Sequence, residues 1–352
     1  MENLKIATRD DKNFVSLWED FCIKNKMPVY FSLLWLDFCK KISRENFLKD
    51  LSFLIIRDDL PVGIVPLVME RGTHGNQFSV RNRYMLRAPA VSFNLSNKLR
   101  KKIEKQAFCY IEEVAHTENA SLHMVLIDPM FIIDQKYAHN YLLEFNYLDC
   151  SILTNIIDLE APKSFLWANV RKSFKSLIRK EMKVCTTIIL DYRNISRELF
   201  SEFSNLYFLA SGKKVYDESE WNILYEMIKE DQAMLILAQL NDEIIGGYYF
   251  NHRYNKVYYS LSANHPRYEK TYFIGHLLIW KSIEYYLGRN LKWLELGWQF
   301  YGPQLLENPT DKEINISYFK RGFGGFNFPL YRGVKFFNNE AKHEFIQRNL
   351  SI

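Results

Sequence analysis

Glycine and proline are scarce in these 352 residues, at 14 and 10, and no polar low-complexity tract interrupts the chain. That poverty argues against a disordered or fibrous protein. Long apolar runs are also missing: none approaches the ~18 residues of a membrane-spanning helix. The opening stretch MENLKIATRDDKNF scatters charges where a secretory signal would carry an apolar core. The sequence therefore predicts a cytoplasmic protein without a membrane span. Cysteine is sparse and odd in number, with Cys22, Cys39, Cys109, Cys150 and Cys185 far apart and no C-x-x-C pair. These read as reduced, mostly buried thiols rather than a disulfide framework. The eight histidines form no H-E-x-x-H and no ligand pairing, so no metal is expected.

What is present is apolar and aromatic material in quantity. Hydrophobic residues make up 48% and charged residues 25%, the proportions of a soluble globular protein. The length suits two domains better than one core. Aromatic residues reach 16%, with 26 Phe and 22 Tyr, enough for large cores and for stacking surfaces. Net charge is only +5, yet residues 171–183, RKSFKSLIRKEMK, hold six cations against Glu181. The local excess equals that of the whole chain and suggests an anionic partner.

Two stretches superpose at an offset of 183 positions: LIIRDDLPVGIVPLVMER (54–71) and LAQLNDEIIGGYYFNHR (237–253). Each is an apolar run, a two-residue turn (Asp58-Asp59; Asn241-Asp242), and a second apolar run with a glycine at the matching place, Gly63 and Gly246. Such a pattern is a β-hairpin with buried strands. A segment of helical period follows each one, at 97–119 and 272–290, and then a short strand, at 121–129 and 291–298. The second helix is expected to end in a left-handed glycine cap at Gly288. A repeated hairpin–helix–strand unit predicts an α/β (α+β) protein of two tandem domains, 1–160 and 161–352, with the boundary in the polar stretch at Leu159–Ser164.

Four segments carry chemistry. In WANVRKSFKSLIRKEMK, Trp167, Val170, Phe174, Leu177, Ile178 and Met182 recur at helical spacing, so one face packs and the other is basic. That basic face is either solvated or a wall for phosphates, with Arg171, Lys172 and Lys175 as candidate contacts. In EIIGGYYF, paired glycines inside a strand imply either a packing-driven bulge or a ligand lying along the backbone. In KVYYSLSANHPRYEKTYFIGHLL, a strand gives way to a loop with His265, Arg267, Lys270 and Thr271 and then to a helix. A helix N-terminus reached through a basic loop is a natural diphosphate site. Glu295, in KWLELGW, lies among large apolar residues and must be paired, protonated, or used as a base.

These segments, in this order, resemble the GCN5-related N-acyltransferase superfamily. More narrowly they are similar to its tandem-domain branch, which includes the Fem peptidyltransferases and their acyl-CoA-using relatives. The likeness is carried by VYFSLLWLDF, DLPVGIVPL, KSFKSLIRKEMKV, NDEIIGGYYF, WLELG and FKRGFGG. It covers most of the chain. One feature departs from it: the superfamily's (Arg/Gln)-x-x-Gly-x-(Gly/Ala) signature should lie near 264–276, where only Arg267 and Gly275 remain of it.

The resemblance implies two GNAT-like domains, each a mixed, mostly antiparallel sheet flanked by helices, with the acyl-donor site in the second. It implies attack of a primary amine on an activated acyl carbonyl. Glu295 and His265 become the candidates for proton removal, and Lys320 matches a lysine that Fem-like enzymes use near donor and acceptor phosphates. Gly246, Gly247, Tyr248, Arg267, Lys270, Thr271 and Gly275 would hold acyl-CoA as co-substrate, with an oxyanion donor near Gly246–Tyr248. Arg171, Lys172, Lys175 and Trp298 would meet the acceptor. The implied acceptor is a dTDP- or UDP-linked amino sugar for cell-surface polysaccharide, since an aromatic, mildly basic cleft can stack a base and neutralise a diphosphate. The alternative is a Fem-type, aminoacyl-tRNA-dependent peptidyltransferase acting on a cell-wall precursor, the one case in which nucleic acid would be a partner. A non-catalytic binding module on the same scaffold is a third reading.

The glycines of ISYFKRGFGGF (316–326) do not form a phosphate loop, because FNFPLYRGVKFF after them reads as strand and not helix. They are expected to turn the chain, leaving Lys320 just ahead of the turn for contact with ligand.

Overall fold

A computed structural model describes residues 4–73, 75–80, 86–133, 139–304 and 307–350. The chain forms two compact units, one of Met1–Ile152 with Pro303–Asn308 and Pro329–Ile352, the other of Leu153–Gly302 with Pro309–Phe328. Both are mixed, mostly antiparallel sheets flanked by helices, as expected. The units are not continuous halves of the sequence. The strand Arg332–Phe336 returns to the first unit because it pairs antiparallel with Ala120–Leu126 and with Leu148–Asp149. Arg332, only 2% exposed, donates from Nε to the Cys150 carbonyl (3.0 Å) and meets Glu307 at 2.6 Å. Because the Arg332 guanidinium is buried, breaking its pairing with the partly exposed Glu307 would strand a charge, so the pair holds the return segment.

Among the described residues the first unit holds two sheets. Leu4–Thr8, Phe53–Arg57, Leu60–Val65 and Ala90–Val91 form one, and the second is built around Ala120–Leu126. The hairpin turns at Asp58-Asp59 with φ of 51° and 60°, the double left-handed pair of a two-residue turn. The helix Asn97–Thr117 follows, its first turn capped by the Ser96 hydroxyl, which accepts from Leu99 N.

The second unit is one seven-stranded sheet. Its order is Thr186–Leu190, Ala233–Leu240, Glu243–Arg253, Lys256–Asn264, Trp293–Gln299, Ile152–Asp158, Phe326–Leu330. Asn241 and Asp242 turn its hairpin with φ of 48° and 65°. The likeness between the hairpins extends to their irregularities. Val62 is left unpaired between Pro61↔Ile56 and Gly63↔Ile55, and Ile245 is left unpaired between Ile244↔Gln239 and Gly246↔Ala238. A bulge at the same offset before the same glycine is a stronger sign of duplicated architecture than the hairpins alone.

Helix Arg197–Ser211 covers one face of this sheet, with Phe203 against Gly247. Helix Ile274–Gly288 covers the other, with Ile274 against Gly246. Its left-handed terminator is Asn290 (φ 55°), not Gly288, because the helix runs through Gly288 and the chain turns two residues later. The basic segment also differs from the single helix expected. It breaks at Val170-Arg171 into Lys163–Asn169 and Lys172–Glu181, Arg171 being extended (ψ 136°). The break rotates the second helix, so that Phe174, Ile178 and Glu181 are buried and Met182 is exposed.

Candidate active site

Where strands Lys256–Asn264 and Trp293–Gln299 run parallel, they pair at Lys256↔Trp293, Val257↔Leu294 and Tyr258↔Glu295, and no further. Beyond that point they diverge. Both strands carry an irregularity there. Ser260 is unpaired between Tyr249↔Leu261 and Phe250↔Tyr259, and Leu296 is unpaired between Asn155↔Gly297 and Ile156↔Glu295. Bulges of this kind increase twist and end pairing, and Gly297 follows with φ of 89°, a conformation that favours glycine. Among the described residues the divergence leaves one edge of the 259–263 segment without a ladder partner, so alternate main-chain N–H groups turn toward the gap.

Glu295 stands at the closed end of this gap, 8% exposed. The Thr154 hydroxyl, fully buried on the adjacent strand, donates to its Oε1 at 2.6 Å. Lys320 reaches the same gap from helix Asp311–Arg321. Its Nζ lies 5.6 Å from the centroid of the Tyr259 ring and 3.0 Å from where a Gly297 Cβ would stand. Desolvation pulls the Lys320 pKa down to about 8, against a smaller upward pull from Glu295. Tyr259 in turn stacks on Tyr248 with centroids 5.5 Å apart, and burial pushes both phenols up. The structure thus brings Glu295 and Lys320 together from segments the sequence separates.

Other expected residues fall elsewhere. His265 accepts from Arg267 N through Nδ1 (3.2 Å), and its Nε2 lies 3.6 Å from Glu243. Those partners share no member with the Glu295–Lys320 group. Arg267, Lys270 and Thr271 are exposed on the loop that leads to helix Ile274–Gly288. That helix has no side-chain cap at Phe273, so its first N–H groups remain available. Its His276 N–H donates to the Phe273 carbonyl (3.0 Å), as the Leu99 N–H of the duplicated helix in the first unit donates to the Ser96 hydroxyl (3.4 Å), which leaves Ile274 and Gly275 to present the amides of the first turn.

The glycines have packing neighbours. A Cβ at Gly246 would overlap Ile274, one at Gly247 would overlap Phe203, and one at Gly275 would overlap the Tyr248 hydroxyl. These contacts account for the glycines without a ligand on the strand. In FKRGFGG, Gly322 packs beneath the Phe174 ring, and Gly324 and Gly325 turn the chain with φ of 87° and 80°. Lys320 itself is helical, one turn before them.

The basic helix is partly occupied with its own surface. Arg171 lies 3.8 Å over the Tyr318 ring and donates to the Tyr318 carbonyl, and Lys175 donates to the Ala168 carbonyl (2.8 Å). Lys172 is exposed. Trp298 is half-buried, beside Phe300 and opposite Thr154.

Sequence reading missed the other large feature of this unit. A cavity of about 750 Å³ opens between helices Arg197–Ser211 and Glu218–Lys229. Tyr207, Tyr216 and Trp221 form its aromatic wall, with Arg197 and Lys214 at its edge. The helical spacing of Phe200, Phe203 and Tyr207 was the available signal, but core packing produces the same spacing.

Neither a family model nor a curated protein matches the sequence. Solved structures match the fold. FemX aligns over 97% of this chain and 100% of its own, at 13% identity and a TM-score of 0.65. L-PGS from Bacillus licheniformis aligns over 98% of each chain at 12% identity and a TM-score of 0.54. The C-terminal domain of a putative lysylphosphatidylglycerol synthetase from Agrobacterium fabrum aligns over 95% of each, at 8% and 0.56. The fold is therefore like that of FemX, two mixed α/β units in one chain. Among the described residues no helix is long and apolar enough to cross a membrane, and no group of three His, Cys, Asp or Glu side chains could hold a metal.

Proposed function

We propose that this protein is an N-acyltransferase whose chemistry takes place in the divergence of the second unit's sheet. The observation that carries the reading is the convergence of Glu295, held by Thr154, and Lys320 at the point where Tyr258↔Glu295 pairing ends. The donor's acyl carbonyl would lie in the gap, where unpaired main-chain N–H groups near residues 259–263 can stabilise the oxyanion. Its diphosphate would rest at the uncapped start of helix Ile274–Gly288, beside Arg267, Lys270 and Thr271. Glu295 would take the proton from the attacking ammonium. His265 belongs to the donor loop in this arrangement.

The acceptor we favour is a nucleotide-linked amino sugar, and the donor acyl-CoA. The cavity walled by Tyr207, Tyr216 and Trp221 offers a face for a base, and Arg197 and Lys214 offer charge for a diphosphate. Isothermal calorimetry with acetyl-CoA, and separately with UDP- and dTDP-amino sugars, tests this. Saturable binding of both classes supports it, with the sugar nucleotide lost in Trp221→Ala. Absence of CoA binding at millimolar levels would remove the acyl-CoA donor.

A second reading, a Fem-type aminoacyl-tRNA-dependent transferase, is favoured by the end-to-end fold match to FemX and by the exposed Lys172, Arg179, Lys180 and Lys183. Binding of tRNA that weakens steeply with salt would select it.

A further inference from the structure

We propose that Lys320 is a self-acylation site: in the absence of an amine acceptor, its side-chain nitrogen takes the acyl group of an activated ester or thioester. Three geometric facts support this. The Nζ points into the strand divergence, where Gly297 supplies no side chain to block approach. It lies over the Tyr259 ring and makes no hydrogen bond or ion pair among the described residues, so its lone pair is not already committed. Glu295 faces the same gap, with Thr154 behind it, and can receive the proton that acylation releases.

The charged and titratable groups around the amine are Glu295 from strand Trp293–Gln299 and Tyr259 from strand Lys256–Asn264, with Tyr248 stacked behind. Both phenols stay neutral because burial pushes them up. Burial therefore acts on Lys320 against the charge of Glu295, its one opposing charge among the described residues, and brings its pKa to about 8. Desolvation of this kind turns a lysine into a nucleophile near neutrality.

The step balances without a further reagent. The neutral Nζ attacks the acyl carbonyl, the C–S or C–O bond breaks, and the thiolate or alkoxide leaves with the electron pair. The new N–H⁺ gives its proton to Glu295 or solvent, and an amide remains on Lys320. The product has lost the lysine's charge, so the modified chain would meet phosphates in the gap less well.

Only the identity of the natural donor rests on the acyltransferase reading, and the test separates the two. The full chain is incubated across pH 6–10 with p-nitrophenyl acetate, which needs no nucleotide site, and in parallel with acetyl-CoA, and sites are mapped by peptide mass spectrometry. Lys320 should be acetylated by the ester about tenfold faster than exposed lysines at pH 7.5, its neutral fraction being about 200-fold larger and its lower basicity taking back part of that gain. The rate should rise through a midpoint of about 8. Glu295→Gln should move that midpoint down, and Lys320→Arg should lose the adduct. Labelling by the ester but not by acetyl-CoA would keep the nucleophile and remove the acyl-CoA donor. Labelling spread over surface lysines, with Lys320 no faster than they are, would overturn the proposal whatever the donor.

Discussion

The Thr154 hydroxyl donates to Glu295 Oε1 across 2.6 Å, both groups buried and contributed by neighbouring strands 141 residues apart in sequence. A hydroxyl bound to one carboxylate oxygen fixes the rotamer of a group that would otherwise have several.

If Glu295 removes the proton, Glu295→Gln should lower kcat about 10²-fold or more in a thiol-release assay with a panel of amino sugars. Thr154→Val should give a smaller loss and Thr154→Ser should recover most of it, since the hydroxyl is what aims the carboxylate. Unchanged kcat in Glu295→Gln, with a lowered melting temperature, would make the pair structural.

Lys320 carries a stability cost. Its folded pKa of about 8 lies below the ordinary lysine value of 10.5, so the fold disfavours the charged form. Below about pH 8 the folded chain bears that cost in full; as pH rises toward the ordinary value, the unfolded chain also loses its proton and the cost disappears. Lys320→Met should therefore raise stability at pH 7 by about 1–3 kcal/mol, with the gain shrinking between about pH 8 and 10. Thermal melts at pH 7 and 10 measure this. A variant less stable than wild type at pH 7 would mean that the lysine is better solvated than its surroundings suggest.

Gly275 and Tyr248 form a steric pair. A Cβ at position 275 would overlap the Tyr248 hydroxyl, so Gly275→Ala should destabilise by about 1–3 kcal/mol as the ring is displaced. In the double variant Gly275→Ala/Tyr248→Phe, removal of the hydroxyl should recover part of that loss. Additive losses in a double-mutant cycle would show that the contact is not the cause.

Acid should act through His276. Burial brings its pKa down to about 4, among Phe174, Phe273 and Phe319, with Arg171 adding to the effect. The folded chain holds it neutral. Its contribution is present above the unfolded value of 6.5 and is lost as pH falls from there through about 4. Over that window His276→Gln should show a flatter fall in melting temperature than wild type. Parallel curves would assign the acid sensitivity to other groups.

Much of the framework was legible in order. The two hairpins, their Asp-Asp and Asn-Asp turns, the helices after them and the turning role of Gly324 and Gly325 all follow from local preferences: left-handed φ at the turns, and the period of the apolar positions. Glu295 could be singled out because a carboxylate among large apolar residues has few uses. The break at Arg171 escaped because the apolar spacing runs on through it, and backbone geometry at one residue leaves no mark on composition.

What the sequence could not decide is who meets whom. The paired glycines left packing and a backbone ligand open alike, and only the folded chain sets Ile274 and Phe203 in the space beside them. His265 and Glu295 were both candidates for proton removal, and only the folded chain sets one beside Glu243 and the other beside Thr154. Lys320 acquired its lowered pKa only from burial beside Gly297 and Tyr259. Propensity and periodicity act over a few residues and are written along the chain. Desolvation, strand divergence and proton affinity arise between segments far apart in sequence, and exist only once the sheet has brought them together.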